Sequence, residues 1–163
     1  MSRVIACALV ALFATPVSLP VTFAQPRNAQ PRNGQVTASI VTVLASETAG
    51  SIDPELAGMA ALRRAPFNAF RSMRILDRSQ VRLSVRQPEE ITLPNGRRMR
   101  IRLQQVMPDG RYRVRVSIKR EEGNNYLPLL QVVASPGDPF FVAGQAHEGG
   151  TLVLGITVGQ APG

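Results

Sequence analysis

The chain reads as a mainly β protein, an antiparallel β-sandwich or partly open barrel with one short α-helix after its first strand. Three observations carry this. From Ser79 onward the pattern has a period of two: Val81, Leu83 and Val85 alternate with Arg82, Ser84 and Arg86. Three turn signals then punctuate the chain, Pro94-Asn95-Gly96, Pro108-Asp109-Gly110 and Gly123-Asn124-Asn125. Only one segment, "SIDPELAGMAALRR", combines a cap with an apolar face at helical spacing. At 163 residues, one domain is expected.

The first 24 residues have the layout of a signal peptide. Arg3 is a short basic region, Val4 to Phe13 form an apolar run, and Thr22 and Ala24 stand at −3 and −1 of a cleavage before Gln25. The run is shorter than the roughly 20 residues that span a bilayer, and Pro16 and Pro20 follow it, which argues against a transmembrane anchor. Export to the periplasm or beyond is the expectation. Cys7, the one cysteine, lies inside this leader, so the mature chain would have no disulfide and no thiolate chemistry. Residues 25–35, "QPRNAQPRNGQ", repeat Gln-Pro-Arg-Asn and read as an extended linker. The β domain is expected over 36–158, with a loose tail at 159–163.

"VTASIVTVLAS" (36–46) is rich in β-branched residues and reads as a buried strand. In the helix that follows, Asp53 is the N-cap, Pro54 takes the first position and Glu55 lies near the positive dipole end. Leu56, Met59, Ala60 and Leu62 make its apolar face, Arg63 and Arg64 suit its C-terminus, and Pro66 stops it. "PFNAFRSMRILD" fits two readings, with Phe67, Phe70 and Met73 at helical spacing but Met73 and Ile75 alternating as in a strand.

The register of the hairpins follows from keeping apolar residues on one face. Around Pro94-Asn95-Gly96 an odd loop with a glycine bulge sets Ile91 opposite Met99 and Glu90 opposite Arg100 as an ion pair. Around Asp109-Gly110 an even loop pairs Leu103 with Val116, Ile101 with Ile118, Gln105 with Val114 and Met107 with Tyr112. An odd loop would set Ile101 and Leu103 against Ser117 and Arg115. "YLPLLQVVA" is apolar on both faces and is expected to lie centrally. "PFFVAG" and "TLVLGITV" close the sheet as a hairpin, with Leu152, Leu154, Ile156 and Val158 facing the core.

Charge is the other distinctive property. Formal net charge is +8, and Lys119 is the one lysine among 19 basic residues. Loss of Arg3 with the leader would leave +7. The register places Arg98, Arg100, Arg102, Arg111, Arg113, Arg115 and Lys119 on the face away from the core. Six or more cations on two adjacent strands repel one another unless anions or acids intervene. Two readings follow: a docking surface for an acidic protein or a polyanion such as lipopolysaccharide or acidic polysaccharide, or a solvated face partly offset by Glu90, Glu121 and Glu122. Nucleic acid is not an expected partner, because stacking aromatics are not interleaved with the arginines and Tyr112 faces the other way.

No catalytic constellation emerges. His147-Glu148 in "QAHEGG" could be a metal or acid/base pair, but a catalytic zinc needs three protein ligands and the mature chain has no second histidine and no cysteine. No G-x-S-x-G is present either. The alternative is a hairpin tip with Gly149 and Gly150 in positive backbone angles, His147 and Glu148 then serving at most as loop contacts. Asp53 with Glu55 is explained by capping, and Glu89 with Glu90 faces arginines, so neither requires a glycosidase pair. No metal and no cofactor is expected, and the chain reads as a non-enzymatic binding or structural module.

The stretch "GDPFFVAGQAHEGGTLVLGITV" resembles the closing hairpin of exported β-domains in bacterial secretion and outer-membrane machinery. The layout "VLAS…IDPEL…LRRAPF…LPNG…GRYRVRVSI…PFFVAG…GGTLVLGI" resembles uncharacterised secreted proteins of GC-rich Gram-negative bacteria such as myxobacteria. Both resemblances imply an exported β domain, and neither implies a catalytic residue.

Overall fold

A computed structural model describes residues 36–120 and 122–159. The expected leader, the linker and the tail beyond Gly159 lie outside the described residues. Eight strands are described: β1 (Val36–Ser46), β2 (Ser72–Leu83), β3 (Glu89–Thr92), β4 (Arg98–Val106), β5 (Tyr112–Lys119), β6 (Tyr126–Ala134), β7 (Pro139–His147) and β8 (Gly150–Gly159). They form two four-stranded antiparallel sheets, ordered β2-β1-β8-β7 and β3-β4-β5-β6. This is an open sandwich rather than a closed barrel. β1 and β8, far apart in sequence, pair at the centre of the first sheet from Thr37–Gly159 to Ala45–Thr151. β8 thus runs one residue into the expected tail.

The core lies between the sheets and follows the alternation. Val36, Ala38 and Ile40 of β1, Met99, Ile101 and Leu103 of β4, Val114 and Val116 of β5, and Leu152, Leu154, Ile156 and Val158 of β8 are buried together. Each of these side chains other than that of Ala38 contributes about 1.5–3 kcal/mol on burial. Tyr112 joins them, on the face expected for it.

A second, smaller apolar cluster covers the outer face of the first sheet. There Val43, Ala45, Met73 and Val153 pack against Leu56 and Leu62, with Met59, Phe67, Phe70 and Phe141 at its margin. The expected helix supplies this cover in broken form. α1 spans Pro54–Ala57, with the Asp53 carboxylate accepting from the Glu55 N–H, and a separate 3-10 turn spans Ala60–Arg63. Gly58 ends the first piece, glycine being about 1 kcal/mol poorer than alanine in a helix, and Met59 is extended. Ala60 is consequently exposed rather than on an apolar face. The Arg63 guanidinium donates to the Ala57 carbonyl, satisfying the end of α1. The ambiguous "PFNAFRSMRILD" splits between its two readings: a 3-10 turn at Phe67–Ala69, then β2 from Ser72. β2 ends at Leu83, leaving Val85 outside it and 40% exposed.

The two Pro-Asx-Gly turns are built alike. At the first, Leu93 N–H donates to Arg97 O (2.8 Å), Gly96 N–H donates to Leu93 O, and Gly96 has φ 77°. Ile91 opposes Met99 and Glu90 opposes Arg100, as expected. At the second, Met107 N–H donates to Arg111 O (2.8 Å), Gly110 N–H donates to Met107 O, and Gly110 has φ 82°. This too is an odd loop, so the expected even loop is overturned. The apolar faces still match because the register shifts between Leu103 and Gln105. Gln104 is the extra residue of a β-bulge. Below it Ile101 opposes Val116 and Leu103 opposes Val114, not the expected Ile118 and Val116; above it Gln105 opposes Arg113 and Val106 opposes Tyr112. Deleting Gln104 therefore leaves every inward side chain opposite its present partner. We expect that deletion to cost less than ~1 kcal/mol in denaturant unfolding, against about 2–5 kcal/mol for Leu103→Ala.

β6 is not central. It is the edge of the second sheet, and Leu127, Leu129 and Val133 are 38–39% exposed. Pro128, which has no N–H to donate, fits an edge strand, and the register shift opposite Val116/Ser117 makes Leu129 a bulge beside it.

Candidate anion-binding face

The outer face of the second sheet gathers the expected cations, and the strands determine their neighbours. Glu90 of β3 lies beside Arg100 of β4, which lies beside Ser117 of β5. One rung further, Arg102 directly opposes Arg115, and Arg115 opposes Gln131 of the edge strand. Two like charges face each other across the ladder, an arrangement that costs stability.

The seven expected residues divide by what they touch. Arg100 is held fast: its Nη2 donates to Glu90 Oε1 at 2.5 Å, and its guanidinium carbon stands 3.8 Å from the Tyr126 ring centroid. Cation–π contact and ion pair together fix it as a strut of the face. Arg98 reaches the same carboxylate at 3.9 Å. Arg111 closes on Asp109 at 2.7 Å within its own turn and does not extend the stripe. Arg113 donates to Gln105 at 3.3 Å and Arg115 to Gln131 at 3.0 Å, both neutral partners. Among the described residues, no acidic group lies within ion-pair distance of Arg102, Arg113, Arg115 or Lys119. Of the offsetting acids expected, Glu121 lies outside the described residues and Glu122 is exposed in the β5–β6 turn.

Sequence reasoning missed Tyr126. It comes from β6, which was expected at the sheet centre; as an edge strand pairing Tyr126 with Lys119, β6 brings the ring beside Arg100. An aromatic does therefore lie among the arginines.

Glu90 carries the electrostatics of this corner. Hydrogen bonds from Arg100 and Tyr126 hold its carboxyl below the usual carboxylate range, and Arg100 is raised in return. Tyr126 is raised chiefly by burial and then by its bond to Glu90. A carboxyl lowered on folding stabilises the fold above its unfolded pKa, and that contribution fades as pH falls through the lowered value. Glu90→Gln should flatten the acid limb of a stability–pH curve measured by thermal unfolding, the variant falling below the parent at neutral pH and the two converging at low pH, where Glu90 is protonated.

The histidine loop takes a different form from the one expected. His147 ends β7 opposite Gly150, and the tip is Glu148-Gly149, with φ 46° and 75°. Two positive angles in a two-residue loop define a type I′ turn. Gly150 is already in β8, where a Cβ would stand 2.7 Å from the Ala45 carbonyl oxygen. His147, whose side chain is 17% exposed, lies 3.7 Å from Glu148, and Glu148 lies 3.7 Å from Arg74. These contacts tie the hairpin to β2. Among the described residues no group of three or more His, Cys, Asp or Glu could hold a metal ion, and no helix is long and apolar enough to cross a membrane.

At one end of the basic face the β3–β4 and β5–β6 turns flank an open, solvent-facing pocket of about 270 Å³, lined by Gly96, Arg97, Arg98, Lys119 and Arg120. Arg97 spans the two sheets, donating to the Lys119 carbonyl and to Gln145 of β7, each at 2.9 Å. Asn95 adds a bond to the Ala146 carbonyl (3.2 Å).

Fold and site together define a class: an antiparallel β-sandwich with one sheet face covered by a capped helical segment and the other basic. Comparison with family models, curated proteins and solved structures finds no match to this chain.

Proposed function

We propose that the chain is an exported, non-enzymatic binding module of the cell envelope that holds a polyanion, such as lipopolysaccharide phosphates or acidic polysaccharide, on the outer face of its second sheet. One observation carries the reading: Arg102 and Arg115 oppose each other, Arg113 and Lys119 lie on the same face, and among the described residues no acidic group stands within ion-pair distance of these four. Holding these cations together costs stability in the free protein, and an anion laid across the strands would relieve it. Guanidinium groups also match phosphate, sulfate and carboxylate oxygens in a bidentate geometry. Export rests on the composition of residues 1–24.

The experiment is retention of the full chain on an immobilised sulfated polysaccharide, eluted by salt. The triple variant Arg102→Glu, Arg113→Glu and Arg115→Glu should elute at far lower salt and with a shallower salt dependence. Equal retention of the two proteins would defeat the reading.

A second reading, a protein partner, is favoured by the edge strand. The later half of β6 leaves backbone groups unpaired beside exposed Val133, and an extended segment could add there. Pro128 and the Leu129 bulge guard the earlier half against the same pairing.

A further inference from the structure

We infer that the pocket between the β3–β4 and β5–β6 turns is a discrete site for a phosphomonoester or pyrophosphate group, distinct from diffuse attraction along the strands. Four cationic residues, Arg97, Arg98, Lys119 and Arg120, line it together with Gly96. The glycine has φ 77° and nothing within 4 Å of where a Cβ would stand, so the turn leaves its wall open at that point. About 270 Å³ is the volume of roughly nine waters, enough for a phosphoryl group with the first atoms of whatever bears it.

The walls are fixed by the fold. Arg97 is bonded to Lys119 O and Gln145 Oε1, so one guanidinium is already oriented before a ligand arrives. The Arg120 N–H donates to the Asn125 carbonyl at 2.9 Å, which sets the hairpin that carries Arg120 and Lys119. Arg98 keeps only a 3.9 Å contact with Glu90, which Arg100 holds more closely. A compact dianion can thus be met from two turns and both strands at once.

This inference rests on the basic face being an anion surface, and the test separates the two. Titration of the full chain with inorganic pyrophosphate in a calorimeter should give saturable one-to-one binding. Arg120→Glu should weaken it at least tenfold while leaving retention on the sulfated polysaccharide largely intact. The triple variant Arg102→Glu, Arg113→Glu and Arg115→Glu should do the reverse. A thermal unfolding transition like that of the parent confirms that each variant folds, and Arg120→Gln serves as a milder second variant. Vesicles containing phosphatidic acid give the other arm. Binding to both probes supports a site open to free and lipid-borne phosphate, and binding to vesicles alone, lost in Arg120→Glu, assigns it to a lipid headgroup. No saturable binding of either probe, or binding unchanged in Arg120→Glu, overturns the inference.

Discussion

Arg102→Glu is expected to make the protein more stable and its hold on a polyanion weaker. Arg102 and Arg115 are directly opposed on β4 and β5, and the Arg115 guanidinium donates to Gln131, a neutral partner. The substitution replaces a like-charge pair with an opposite-charge one. Such cross-strand changes are worth about 0.2–1 kcal/mol at an exposed position, a rise of a few degrees in melting temperature at most. The gain should shrink in salt, because both side chains are solvated. Binding should move the other way. One cation is lost and Arg115 is engaged by the new acid, so roughly two contacts disappear and the salt dependence of retention falls accordingly. A solvated face with no ligand predicts only the first effect. Greater stability with unchanged retention would therefore count for a face that is merely solvated, and loss of both would show that the pair is structural.

How much of this was legible beforehand depends on the range of the interactions. β1 could be bounded because eleven successive residues are nearly all apolar or β-branched and the residues flanking them in sequence, Gln35 and Glu47, are polar. The first Pro-Asx-Gly hairpin was readable to the residue, since Glu90, Ile91, Met99 and Arg100 permit one register. The second was misread because parity was argued over an uninterrupted ladder. Gln104 adds one residue, and an odd loop plus one bulge looks the same, from the apolar pattern, as an even loop. β6 was misplaced because two apolar faces normally mean burial on both sides, whereas here the outward residues stay half open. Pro128 was the available signal. The pairing of β1 with β8 leaves no local trace, as it joins residues more than a hundred positions apart. The basic face followed from local alternation alone, but its one aromatic, Tyr126, depended on the misplaced strand.

Ile101→Ala and Leu56→Ala should separate the two apolar layers of the fold. Ile101 is fully buried between the sheets, opposite Val116 on one side and Glu89 on the other. Removing its outer carbons should leave a cavity that the surrounding β-branched side chains cannot close, at a cost of about 2–5 kcal/mol. For a domain of this size that is a large share of total stability, so global unfolding should come at much lower denaturant with an unchanged slope. Leu56 is equally buried, at 2% exposed, but in the cluster beneath the 54–69 cover. That cover consists of a four-residue helix and two 3-10 turns, anchored by Leu56, Leu62 and a few backbone bonds such as Asp53 N–H to Met73 O at 2.9 Å. Leu56→Ala should raise hydrogen exchange first over residues 53–70, with smaller changes at the amides of β4, β5 and β8. Ile101→Ala should raise exchange throughout both sheets. If Leu56→Ala instead lowered protection in β4 and β8 as much as in the cover, the two clusters would form one cooperative unit, and the capped segment would be part of the sandwich rather than a layer upon it.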